Sequence, residues 1–291
     1  MNVIKLTRIL NGRDQTLDWL IEKRLLPGQM RCKYCHNVMN YQRHHGWGRF
    51  RCRNINQHKN KVSVHVSASK GTWFDDCKLK AEAVVLLMYG FAHNWRYEQM
   101  RHEAKLGATK LSGVSVSEWF HHCREVCMCA LDRLYQSEDL VGGPDRIVYI
   151  IEAKADNFYC DKSRFEEGSL IIAVIDEIFG YRLDTSPDGK CDAMTMETIT
   201  KKHIVPGSEV RTDSSKPHIY LIDIDDYVHN PVDYEKKKRG NNHWKQLCEF
   251  LWRREISERN LDPLEALIDA IKYVYPVSES NPIQQGSDDS D

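Results

Sequence analysis

The clearest signal in the hydrophobic pattern is the run I-V-Y-I-I at positions 147–151. Pro144 precedes it and charged residues follow, so the run predicts a strand buried on both faces. Beyond it, S-L-I-I-A-V-I-D (169–176) and F-G-Y-R-L-D (179–184) predict an antiparallel pair around Asp176 and Glu177. Pro187-Asp188-Gly189 marks a turn, and 194–203 has helical texture. Pro206-Gly207 leads into a short strand at 209–212 that delivers Asp213, and I-Y-L-I-D-I-D (219–225) predicts another strand. A helix is expected through Trp244, Leu247, Phe250, Leu251 and Trp252, and a last one over 264–275. From Ser278 onward the Ser, Asn, Gln and Asp composition predicts a disordered tail. Strands alternating with helices make this part α/β.

The N-terminal half has a different texture. Leu17, Leu20, Ile21 and Leu25 recur at helical spacing over 13–25, and Pro27-Gly28 ends that helix. V-S-V-H-V (62–66) alternates as a strand does. Leu79, Ala83, Leu86, Leu87 and Phe91 predict a helix over 75–93, with a second over 97–106. Gly107 and Gly113 bracket a turn, and Ser115-x-x-Glu118 has the form of a capping box. The helix it opens carries Trp119, Cys123, Val126, Cys127, Ala130 and Leu134 at spacings of three and four. Helix, glycine turn and capped helix suit a helix-turn-helix, and equally any helical bundle. The chain is thus expected to divide into a basic module (1–70), a helical region (71–140), an α/β domain (141–276) and a tail (277–291).

Charge sharpens that division. The formal net charge of −1 conceals 14 Lys and Arg against three acids (Asp14, Asp18, Glu22) in residues 1–70, and 27 against 39 in the remainder. A basic N-terminal part is the electrostatic footprint of a nucleic-acid-binding module. No stretch of 18 apolar residues and no leader-like segment follows Met1, so an intracellular protein that does not cross a membrane is expected. In that setting ten cysteines suggest metal ligands and buried thiols rather than disulfides.

Cys32-Lys-Tyr-Cys35 has the spacing that lets two thiolates face one tetrahedral zinc ion. The second pair must return across a hairpin, which Gly46 and Gly48 permit, and it begins at Cys52. The position three after Cys52 is Ile55, so His58 is the nearest competent donor, with His36, His44 and His45 as competitors. Four protein ligands would make that zinc structural. For Cys123, Cys127 and Cys129 the expectation is core packing.

The order of these parts is more specific than any one of them. The cysteine knuckle, G-T-W-F, G-V-S-V-S-E-W-F-H-H-C-R, V-Y-I-I-E-A-K, H-I-V-P-G-S-E-V-R-T-D and E-F-L-W-R-R-E together resemble the Merlin-type DDE transposases and their bacterial insertion-sequence relatives, over about residues 25–256. The resemblance implies a zinc ribbon and helix-turn-helix region joined to a ribonuclease-H-like mixed sheet with helices. In such enzymes three acids hold two Mg²⁺ ions for strand cleavage and transfer. The family's second acid falls on Asp213. Its first belongs to a V-x-I-D-E-S pattern, where this chain reads V-Y-I-I-E-A and sets Ile151 in place of the aspartate. Glu152, one residue on, should point to the opposite face of the strand. The third acid's position falls on Asn241 when Trp244 is matched, or has been shortened away, leaving Glu235 as the nearest substitute.

The functional expectation is therefore a transposase-derived DNA-binding protein with a degenerate site. Arg31, Lys33, Arg43, Arg49, Arg51 and Arg53 would neutralise phosphates, and Trp119's helix would be a candidate groove reader. The alternatives are a Mg²⁺-dependent transposase or nuclease using Glu152, Asp213 and Glu235, and a protein-interaction scaffold acting through the acidic half. DNA is the expected partner, with a second copy of the chain and a partner of the acidic half as further candidates. A nuclear location follows from DNA binding, since the basic run at 236–239 is too short to decide it alone.

Overall fold

A computed structural model describes residues 1–58, 61–106, 111–134, 140–154, 170–176, 180–186, 189–190, 192–213, 226–232 and 243–277. The chain forms two units, Met1–Cys123 with Leu261–Asp291, and Arg124–Asn260. The strand expected at 219–225 and the tail from Ser278 lie outside the described residues.

The first unit is built around an almost entirely apolar helix. Helices α1 (Val3–Ile9) and α2 (Arg13–Glu22) precede a three-stranded antiparallel sheet in the order β1 (Asn40–Gln42), β2 (Arg49–Cys52), β3 (Val64–Ser67). Then come α3 (Ala81–Ala92), α4 (Tyr97–Leu106) and the start of α5 (Gly113–Leu134); α8 (Pro263–Val274) joins them from the far end of the chain. Of the α3 side chains only Glu82 and Leu86 escape full burial, as a helix enclosed by neighbours requires. Its neighbours include α2, α4 and α8. Asp262 caps α8 by accepting the Leu264 and Glu265 N–H groups at 3.0 and 3.1 Å, and Pro263 occupies the first turn, where its missing N–H costs nothing.

Three local expectations change here. The helix expected from residue 75 begins only at Ala81, because Asp75 and Asp76 form a turn in which Asp76 adopts φ 55°. Helix α5 is capped by Ser112, whose Oγ accepts the Ser115 N–H at 3.0 Å, so the capping residue lies three positions before the expected one. The strand expected at 62–66 is shifted to Val64–Ser67, since Val62 is drawn away to accept a hydrogen bond from His58.

The second unit holds a five-stranded mixed sheet in the order β6-β5-β4-β7-β8. Its strands are β4 (Ile147–Lys154), β5 (Leu170–Asp176), β6 (Gly180–Ser186), β7 (Glu209–Asp213) and β8 (Val228–Val232). Strand β5 is antiparallel to both its neighbours, whereas β7 runs parallel to β4 and β8 parallel to β7. Helix α6 (Ala193–His203) makes the crossover from β6 to β7, and α7 (His243–Glu258) follows β8. Met196, Ile199 and Ile204 pack with Val148, Ile150, Ile172, Val174 and Val210 into one core. On the other face of β4, Ile147, Tyr149 and Ile151 are only half-buried, so the expectation of burial on both faces does not hold for this strand. Within this unit Glu249 of α7 holds Arg124 of α5 at 2.6 Å and Arg253 at 2.7 Å.

The start of β4 is pinned tightly. Buried Asp176 pairs with Arg146 and accepts the Gly142 N–H at 3.0 Å, while Gly143 donates to Ser208 Oγ at 2.8 Å. Gly142 sits at φ 92°, and a Cβ there would lie 2.4 Å from Ser208 Oγ, so backbone approach and backbone angle both demand glycine. The Glu209 N–H donates to Arg146 O at 2.9 Å, which sets the register of β7 against β4.

Candidate metal centre, basic sheet face and acid positions

Around Cys32 the chain makes a tight turn: the Cys32 N–H donates to Asn37 O and the His36 N–H to Cys32 O, both at 2.9 Å, with His36 at φ 57°. This brings Cys35 back over Cys32. The second arm leaves β2 at Cys52, passes through a single 3-10 turn (Ile55–Gln57), and returns His58 to the same point. Gln57 Oε1 ties the arms together, accepting from Asn37 Nδ2 at 3.3 Å and from Asn54 Nδ2 at 2.8 Å.

The result is a compact group in which the donor atoms of Cys32, Cys35, Cys52 and His58 all lie within 4.8 Å of one another. Cys32 Sγ is 3.4 Å from His58 Nε2, and Cys35 Sγ is 3.5 Å from Cys52 Sγ. The edges of a tetrahedron around a zinc-sized ion are about 3.5 Å from thiolate to imidazole and about 3.8 Å between thiolates, so the group has the dimensions to hold one. His58 is 4% exposed, and its Nδ1 donates to Val62 O at 2.7 Å. A carbonyl can only accept, so the proton sits on Nδ1 and the Nε2 lone pair faces the cysteines, the orientation a metal ligand needs. The competitors His36, His44 and His45 are exposed and outside the group.

The Asn37 backbone N–H lowers the Cys35 pKa, whereas burial pushes Cys52 up to about 11. A bound cation would stabilise both as thiolates. Cys32 and Cys52 also form, with Met39, Phe50 and Ala68, the small core beneath the three-stranded sheet, so the metal group and the sheet are one structure. Cys123, Cys127 and Cys129 are buried and belong to no metal-binding group among the described residues.

The opposite face of that sheet is polar. Along β2, Phe50 and Cys52 point inward and Arg49 and Arg51 outward, the alternation a half-buried strand requires. Register sets Asn40 and His65 beside Arg51, and Gln42 and Ser67 beside Arg49, so no carboxylate occupies any of these six paired positions. Arg49 Nη2 donates to Gln42 Oε1 at 3.0 Å and to His45 Nε2 at 2.6 Å. His45 and His65 have lowered pKa values, from loss of water and then from Arg49, with His44 and Arg13 acting on His45 and Arg51 on His65. The other basic candidates lie elsewhere: Arg43 pairs with Asp18 at 2.7 Å, Arg31 donates to His36 O, Lys33 lies 5.0 Å over the Tyr34 ring, and Arg53 is exposed past the strand. His45 and His65 were missed as part of this face: the β1–β2 turn brings His45 back onto Arg49, and strand register sets His65 beside Arg51. Trp119 is half-buried edge-on against Trp73, ring centres 5.3 Å apart.

In the second unit the strand register decides how the acid positions relate. The pairs of β4 with β7 run from Ile147–Glu209 to Tyr149–Arg211, and Ile151 and Asp213, the last residue of β7, each lie two residues beyond the last pair. Glu152 shares the parity of Val148 and Ile150, the face packed by α6, and is half-buried there. Glu235, Asn241 and the run 236–239 lie outside the described residues. Nearby, Arg211 stacks over Tyr149 and bonds Glu209 at 2.7 Å.

No protein-family model matches the chain, and no curated protein matches it. Among the described residues no helix is long and apolar enough to cross a membrane.

Proposed function

We propose that this chain is a transposase-derived DNA-binding protein, akin to the Merlin-type transposases, in which a zinc ion organises a basic sheet and the DDE site no longer supports strand transfer. The observation that carries the reading is the carboxylate-free face of the three-stranded sheet, with Arg49 and Arg51 at its centre, built directly over the Cys3His group. An antiparallel sheet fastened by such a group supports a zinc ribbon, and zinc suits a mixed thiolate and imidazole donor set. The sheet order β6-β5-β4-β7-β8, with β5 alone reversed and a helix crossing to β7, supports a ribonuclease-H-like domain.

Loss of chemistry rests on Ile151, which the β4–β7 register, continued by two residues, would set level with Asp213. A neutral side chain there supplies nothing to offset Mg²⁺ desolvation, and Glu152 on the other face is no replacement. DNA binding also motivates a nuclear location. The deciding experiment is fluorescence anisotropy of the zinc-loaded protein on mixed-sequence duplex DNA across a salt series, beside a chelator-treated sample. Log-linear weakening with salt, and loss of binding without zinc, is the expected result. Absence of binding at low salt refutes the reading. Mn²⁺-dependent cleavage that disappears in Asp213→Asn would instead establish a working nuclease.

A further inference from the structure

We infer that the surface of this protein that meets DNA is the open face of the β1–β2–β3 sheet, laid along the phosphates of one duplex strand, with His45 and His65 gaining protons as it binds. The inference rests on the DNA-binding reading and narrows it to one face and one mode of contact.

Geometry separates the basic residues into two kinds. Arg43 is already neutralised by Asp18, and Arg31 is held by the carbonyl of His36 within the knuckle. Arg49 and Arg51 have no carboxylate partner among the described residues, although the Nε of each is buried without an acceptor, so contact with a phosphate falls to their terminal nitrogens. Two residues apart on one strand, they project about 6.8 Å apart. That matches the separation of successive phosphates along a B-form strand better than the tighter A-form spacing of duplex RNA. Asn40 and Gln42 flank them on β1, and His65 on β3, extending the polar surface about 10 Å across the strands.

The two imidazoles complete the site. Arg49 donates to His45 Nε2, so that nitrogen carries no proton while the guanidinium faces it. The largest charged influences on His45 are Arg49, His44, His65 and Arg13, and on His65 Arg49 and Arg51, all of them basic. Asp14 and Asp18 act on Tyr41. An arriving phosphate takes Arg49's N–H groups, releases His45 Nε2 and supplies the negative charge that stabilises both imidazolium ions. Binding is then coupled to proton uptake, and affinity rises as pH falls.

The test uses the zinc-loaded full chain and anisotropy on mixed-sequence duplex DNA, over a salt series and from about pH 8 to about pH 5.5. R49Q/R51Q is expected to weaken binding roughly tenfold or more near physiological salt and to reduce the salt slope by about 1.8, the value for two phosphate contacts. R49K/R51K, which keeps the charges, should recover that slope, whereas R31Q/R43Q should leave it nearly unchanged. Wild-type affinity should rise about tenfold or more towards the acidic end, and H45Q/H65Q should remove that rise. Zinc content measured for every variant shows that the module is still folded. Equal losses in R31Q/R43Q and R49Q/R51Q overturn the inference, as does an acid-side gain that survives in H45Q/H65Q or tighter binding to duplex RNA than to DNA. In those cases wild type still binds, so DNA binding stands and only the assigned face fails. No binding by wild type at low salt sinks both.

Discussion

His58 offers the sharpest test of the metal centre. The perturbation is His58→Ala, compared with His36→Ala, His44→Ala and His45→Ala. His58 Nε2 lies 3.4 Å from Cys32 Sγ and its Nδ1 is bound to Val62 O, so the ring is aimed before any metal arrives. Structural zinc contributes about 10–16 kcal/mol over four ligands, so an aimed ligand carries about 3 kcal/mol. Its removal should weaken zinc binding by about a hundredfold or more. The three control histidines are exposed and outside the donor group, and each should change affinity less than threefold, well under 1 kcal/mol. Competition for zinc against a chromophoric chelator at fixed pH measures the difference. His58→Cys keeps four competent ligands and should restore most of the lost affinity. Wild-type affinity in His58→Ala, with a large loss in His36→Ala or His44→Ala, would refute the assignment. It would mean that the second arm closes on a different residue.

Further outcomes follow from other parts of the structure. Ile151→Asp puts a carboxylate on a half-buried face, where the β4–β7 register continued by two residues would set it level with Asp213; it should cost about 1–3 kcal/mol, and Mn²⁺ should raise the melting temperature of the variant but not of wild type. Equal Mn²⁺ effects on both would argue against the two positions being neighbours. Asp184 accepts from His203 and Lys202, which hold its carboxyl well below the usual range. Its stabilising contribution is present above the unfolded carboxylate value near 4 and is lost as pH falls below it. The stability gap between wild type and Asp184→Asn should therefore close between about pH 5 and pH 2, and a constant gap in denaturant titrations would contradict this. Ser112→Ala should destabilise by about 1 kcal/mol through loss of the α5 cap, whereas Glu118→Ala should have little effect. The reverse order, read by thermal melting, would restore the Ser115 capping box.

How far the sequence was readable depends on whether the relevant interaction is local. The bounds of α4 at Tyr97–Leu106 and the antiparallel pairing of β5 with β6 follow from short-range pattern, and both match. The spacing of Cys32, Cys35 and Cys52 exposed three donors in the same way. The fourth stayed open because four histidines compete in sequence, and only the 3-10 turn that ends at His58 chooses among them. Strand β8 was missed since Pro231 lies inside it and no alternating apolar pattern marks Val228–Val232. The five-residue apolar run of β4 suggested burial on both faces, yet such a run cannot report that one of its faces is only partly covered. Long-range pairing hid the most about the basic residues: nothing near Arg43 in sequence announces Asp18, and nothing near Arg51 announces His65.

The placement of α8 bears on how the protein is made. Lys23 reaches Glu265 at 2.7 Å, the Met1 amino group pairs with Asp262, and α3 packs on α8. The first unit therefore cannot close around α3 until the last helix has left the ribosome, although nearly all of its residues emerge first. At roughly 5–20 residues per second the interval between Cys123 and Val274 is about eight to thirty seconds. For that time the apolar side of α3 lacks its final cover while the five-stranded sheet is being synthesised. A nascent chain halted just before residue 263 would lack α8 and leave α3 open to chaperones.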